Sequence, residues 1–80
     1  MSGDASPVGL IGVLSVGTRG PAGPGEVIIK IRGGSECYLA WSPSPIPKGA
    51  SVLVVESRGA RALGVVQWSD TATPQSDVLE

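Results

Sequence analysis

Eighty residues with 6 Lys plus Arg, 7 Asp plus Glu and no histidine carry a net charge of -1, without the positive excess by which nucleic-acid-binding domains neutralise phosphates. The length allows one small domain with a thin stability margin, and 41% hydrophobic against 16% charged residues exclude disorder as the resting state. The single Cys37 permits no intramolecular disulfide, and without histidine a zinc site would fall to carboxylates, so neither metal nor cofactor is expected; one unpaired thiol fits a reducing, cytoplasmic setting.

Residues 1–7 and 69–80 are polar, lack hydrophobic period and are expected to be mobile tails flanking a domain at 8–68. The start, MSGDASP, has no basic segment leading into an apolar one and is not a secretory signal. Val8 to Val16 is the longest apolar stretch, interrupted by Gly9, Gly12 and Ser15 and far below the roughly 20 residues that span a bilayer. The first predicted strand, Gly9 to Val16, is apolar on both faces at Leu10, Ile11, Val13 and Leu14.

Next comes TRGPAGPGEV, residues 18–27. Its triplets are too few for a collagen helix, and a phosphate loop should open a helix, whereas this one opens the strand-like EVIIKIR. The remaining reading is a rigid turn, stiffened by Pro21 and Pro24 and reversed at its glycines. The second strand, Glu26 to Arg32, alternates so that Val27, Ile29 and Ile31 face the core and Ile28, Lys30 and Arg32 face away. Gly33 and Gly34 predict a tight hairpin into a third strand, Glu36 to Ser42, that puts Cys37, Leu39 and Trp41 on one face.

SPSPIPKGA, with Pro43, Pro45 and Pro47, excludes a helix interior or a central strand and reads as an extended connection. The fourth strand, Ser51 to Ser57, is again apolar on both faces at Val52, Leu53, Val54 and Val55. A turn at Arg58 and Gly59 leads to the fifth, Ala62 to Trp68. Five short strands without a helix predict an all-β fold, a five-stranded antiparallel barrel of the OB or SH3-like type. A barrel needs only its inner positions apolar, so the surplus on the first and fourth strands predicts an interaction surface.

Catalytic chemistry has little support. Without histidine the usual Ser-His or Cys-His pair cannot form, Lys30 and Lys48 lie in no Ser-Lys motif, and the carboxylates are scattered. Cys37, in an alternating strand, reads as a small core hydrophobe rather than a reactive thiol. Tyr38, Trp41 and Trp68 are read first as covers for the ends of a small core. The lone Arg32-Gly33-Gly34 is a turn, since RNA-binding RGG tracts are repeated.

The order and spacing of several motifs resemble the soluble C-terminal domain of the NfeD family. They are Gly9 and Gly12 in the first strand, Arg-Gly-Pro-x-Gly-Pro-Gly-Glu-Val at 19–27, Gly-Ser-Glu-Cys-Tyr-Leu-Ala at 34–40, and Ile-Pro-Lys-Gly-Ala-Ser-Val-Leu-Val-Val-Glu at 46–56. The resemblance covers most of residues 9–66. It implies an OB-fold barrel and a non-enzymatic role, in a domain usually carried by membrane-anchored proteins and associated with stomatin-, prohibitin- and flotillin-type membrane scaffold proteins. The serine protease domain found upstream in long family members has no counterpart here. The chain includes no transmembrane stretch, which leaves membrane attachment to a partner or to an anchor outside it.

The expected function is a protein-interaction module that docks a partner of that type, or a second copy, through a surface including Leu53 and Val55, with Tyr38 and Trp41 as further candidates. The alternative is an OB-fold protein that binds single-stranded nucleic acid through Tyr38, Trp41, Arg19, Arg32 and Arg58.

Overall fold

The structure, a computed structural model, describes residues 6–31 and 33–68. Apart from Ser6 and Pro7, the two expected tails lie outside the described residues, as does Arg32.

Among the described residues seven strands follow in chain order: β1 (Ile11–Val16), β2 (Thr18–Arg19), β3 (Gly25–Ile31), β4 (Gly34–Trp41), β5 (Pro45–Ile46), β6 (Ser51–Ser57) and β7 (Ala62–Gln67). Five of them close a barrel in the order β1-β3-β4-β7-β6, matching the five predicted strands. Neighbours pair antiparallel except β4 and β7, which run parallel from Leu39↔Ala62 to Trp41↔Gly64. That junction follows from the connectivity: the proline-bearing crossover after β4 delivers β6 first, and the β6–β7 hairpin then turns β7 back into β4's direction.

Alternation decides the core. Leu14, Val27, Ile29, Ala40, Ile46, Val52, Val54, Leu63 and Val65 are buried, with Val27 and Ile29 inward as their spacing predicts and Ile31 half-buried at the end of β3. The third predicted strand is present, but the reading of Cys37 as a core residue is corrected. Cys37, Leu39 and Trp41 do share a face, but it is the outer one: Cys37 and Leu39 are exposed, and the inward positions of β4 are Tyr38 and Ala40. The cause is register, because Ile31 pairs with Gly34 and Val27 with Tyr38. A two-residue reversal opposes odd positions of β3 to even positions of β4, so an inward Val27 forces an inward Tyr38. Only Gly33 of the expected glycine pair takes the positive φ, at 80°, while Gly34 is already in the ladder.

The stretch TRGPAGPGEV is built as a rigid turn. Thr18 and Arg19 form β2, which pairs with β5; Gly20–Ala22 make one 3-10 turn; Gly25 opens β3. A Cβ on Gly25 would overlap the carbonyls of Val16 and Gly17, so the chain crosses itself there only because the side chain is absent. Buried hydroxyls tie this turn to the crossover. Ile46 N–H donates to Thr18 Oγ1 at 2.9 Å, and Ser42 Oγ donates to Ser44 O at 2.7 Å. Thr18 is thereby left to donate to Ser42 Oγ. Every member has a partner, the condition under which buried polar groups stabilise rather than weaken a fold.

Candidate functional site

The outer wall over β3, β1, β6 and β7 carries a continuous apolar strip. Ile28 stands opposite Val13, Ile11 opposite Leu53, and Leu53 opposite Val66. Ile28, Ile11 and Val13 are 44%, 43% and 48% exposed, and Leu53 and Val66 are half-buried beside them. Each residue lies one position from an inward core residue, so strand alternation alone projects the strip outward. Lys30 lies next along the outward face of β3.

Val66 also borders a groove of about 480 Å3 on the wall formed by β4, β7 and β6, lined in part by Pro21, Trp41, Pro43, Val55 and Gly64. Trp41 pairs with Gly64, and Gly64 with Glu56. A Cβ at Gly64 would meet Glu56 Cγ at 2.5 Å, so the missing side chain forms the floor on which the Glu56 carboxylate rests. Arg58 Nε donates to Glu56 Oε2 at 2.9 Å, and the guanidinium lies 5.9 Å from the Trp41 ring centroid. Val55 is the extra residue at a bulge in β6 between Val54 and Glu56, which turns it outward into the groove.

A third cluster surrounds Cys37. Its thiol contacts Glu26 Oε1 at 3.6 Å. Local desolvation, then the hydrogen bond and charge of Glu26, push the thiol above its ordinary pKa, with Arg61 opposing. Such a thiol is a poor nucleophile at neutral pH. Arg61 packs over Tyr38 at 4.7 Å and bonds Glu36 Oε1 at 3.0 Å.

Of the four expected interaction residues, Leu53 lies in the strip, while Val55 and Trp41 line the groove that joins it through Val66. Tyr38 sits apart, half-buried against the core beneath Arg61. As a core cover Tyr38 fits its expected role; Trp41 faces outward and Trp68 is 40% exposed. Of the basic residues in the nucleic-acid alternative, Arg58 is paired with Glu56, Arg19 packs over Gly23, and Arg32 lies outside the described residues. Among the described residues no cluster of Cys, Asp and Glu could hold a metal, and no helix is long and apolar enough to cross a membrane. Sequence reasoning placed spare apolar surface on the first and fourth strands, Ile11 and Val13 included, but missed that Ile28 and Val66 extend it, although the alternation Val27, Ile28, Ile29 already marked Ile28 as an apolar residue facing out.

A family model described as the NfeD C-terminal domain matches residues 11–66. Solved structures similar to this chain include two NfeD-type domains. The C-terminal domain of stomatin operon partner protein 1510-C from Pyrococcus horikoshii is 35% identical with a TM-score of 0.56, covering 76% of this chain and 86% of that one. The soluble domain of the NfeD protein YuaF from Bacillus subtilis, solved in solution, is 31% identical with a TM-score of 0.60, covering 74% and 70%. No curated protein matches the chain.

Proposed function

This chain belongs to the NfeD C-terminal domain family, and on that premise we propose that it is a non-enzymatic protein-interaction module whose outer apolar strip docks a membrane scaffold protein of the stomatin class. The observation that carries the reading is the uninterrupted row Ile28, Val13, Ile11, Leu53 and Val66, on a wall that no other described element covers. Exposed rows of this kind mark interaction surfaces. The partner class is taken from the relative described as a stomatin operon partner.

Five apolar residues are few beside the roughly 20–30 that each side of a stable interface contributes. A single copy therefore binds weakly, and a scaffold that presents many equivalent sites raises the affinity through avidity. The groove beside Trp41 and Val55 extends the same surface through Val66 and supplies an aromatic anchor, the residue type that dominates binding energy at interfaces.

Calorimetric titration of the domain with a purified stomatin-class scaffold tests this. Val13→Glu and Leu53→Glu should each weaken binding at least tenfold while leaving the circular dichroism spectrum unchanged. Unaltered affinity in both variants would remove the strip from the interface. Salt-sensitive binding of a single-stranded oligonucleotide, tighter than about 10 μM at low salt, would favour a nucleic-acid role instead.

A further inference from the structure

The barrel wall is split between β4 and β7. β7 reaches β4 only over Leu39 to Trp41, so Gly34 to Tyr38 have β3 on one side and no described strand on the other. In an antiparallel ladder the residue pairs alternate between those that exchange hydrogen bonds and those that do not. With Ile31 and Gly34 closing the reversal, the amides of Ser35, Cys37 and Leu39 point away from β3, toward the split. Two bonds agree: Leu39 N–H donates to Arg61 O at 2.9 Å, and Arg61 Nη2 donates to Cys37 O at 2.8 Å.

One residue thus occupies two successive groups of this edge. Its backbone carbonyl extends the pairing begun by β7, and its guanidinium caps the next acceptor. Arg61 is held in that position at some expense, because it and Ala60 both have left-handed backbones, with φ of 60° and 50°, a conformation that disfavours residues with a Cβ. Glu36 and the Tyr38 ring fix the side chain from either side.

We infer that the Arg61 side chain closes the β4 edge at Ser35–Cys37 against strand addition by a second copy of this chain, and that removing it opens the edge to self-pairing. Self-pairing suits the edge. Placed antiparallel about a two-fold axis at Glu36, Ser35 of each copy opposes Cys37 of the other, and the outward amides of both residues are satisfied together. Opening the site costs Arg61 its bond to Cys37 O but not its bond to Glu36. Retaining the second bond offsets the like charges that the axis brings together, which otherwise oppose association. The edge is therefore guarded by a side-chain plug and by a charge, the two common protections of an exposed strand. This site is separate from the apolar strip and does not depend on it.

Arg61→Gly tests the assignment most cleanly, since glycine accepts the native φ and removes the plug without adding strain. Light scattering at high micromolar concentration should give twice the 8.1 kDa chain mass for Arg61→Gly combined with Glu36→Gln, and the single mass for the unaltered chain. Amide exchange at Ser35 and Cys37 should be fast in the unaltered chain and slow at least tenfold in the double variant. Adding Cys37→Pro, which deletes an amide that β3 does not use, should return it to monomer. A double variant that is folded by circular dichroism and stays monomeric would overturn the proposal. So would association that protects Ile11, Val13 and Leu53 while leaving Ser35 and Cys37 unprotected. If that variant is unfolded, Arg61→Ala combined with Glu36→Gln removes the same plug and charge, and exchange at Ser35 and Cys37 should slow with rising concentration; no such dependence would count against the site.

Discussion

The outer wall over β1 and β6 and the outer wall over β4 use the same kind of strand but meet solvent in opposite ways. On the first, no ion pair or stacked guanidinium lies at Ile11, Val13 or Leu53 among the described residues. On the second, Arg58 lies near the outward Trp41 ring while Arg61 covers the inward-facing Tyr38 at the edge of the strand, and each guanidinium is paired with a glutamate. Of the 6 basic residues in the chain, two are committed to contacts with the aromatics of β4, while among the described residues only Lys30 stands beside the strip on β3. The bare wall is therefore a feature of how the charges are distributed, as expected of a surface kept for a partner.

The sharpest way to break this contrast is to destroy the frame both walls share. Gly25→Ala would push a methyl group into the Val16 and Gly17 carbonyls and should cost about 3 kcal/mol, read as a lowered urea midpoint. Thr18→Val acts on one wall only. It leaves the Ile46 N–H and Ser42 without their partner and should cost about 1–3 kcal/mol. Because the Thr18 hydroxyl anchors the segment that positions Pro43, amide exchange should quicken around the groove and remain unchanged at Val13.

On the bare wall, Leu53→Lys should alter stability by less than about 0.5 kcal/mol, since the residue is a half-buried outer position away from the core, while it weakens scaffold binding at least tenfold. Equal losses of stability and binding would show that the strip serves folding instead. On the covered wall, Arg58→Ala removes an exposed ion pair and a long cation–π contact and should cost about 0.5 kcal/mol, with a shift in Trp41 fluorescence. The smallest effect belongs to Cys37. Its raised pKa keeps it a protonated thiol further into the alkaline range than an ordinary cysteine, so iodoacetamide should label it more slowly at pH 8 than a cysteine in an unfolded peptide. Glu26→Gln, which removes the charge that helps hold the proton, should speed labelling severalfold.

Much of the frame is legible in the sequence. The five strands, the inward Val27 and Ile29, and the rigid turn at TRGPAGPGEV all follow from alternation and from proline and glycine placement, which are local signals. The face of β4 was legible too, but through a different signal from the apolar spacing that suggests Cys37, Leu39 and Trp41. A two-residue reversal couples the parity of β4 to that of β3, and following that coupling puts Tyr38 and Ala40 inside. Other features lie beyond local pattern. The β2–β5 pair joins Thr18 to Ile46 across the crossover, and no propensity marks a two-residue strand containing proline. The Arg61 plug depends on left-handed backbones at Ala60 and Arg61, residues that rarely adopt them, so Arg58 and Gly59 suggest only an ordinary short turn. Gly64 reads as a strand weakness until Glu56 is seen lying across it.

The most direct test of the bare wall as a docking surface is a heteronuclear NMR titration of the isotope-labelled domain with a stomatin-class scaffold. Chemical-shift changes and line broadening should centre on Ile11, Val13, Ile28, Leu53 and Val66, extend through the groove to Trp41, and spare Ser35 and Glu36. Changes confined to β4, or none at saturating scaffold, would contradict it.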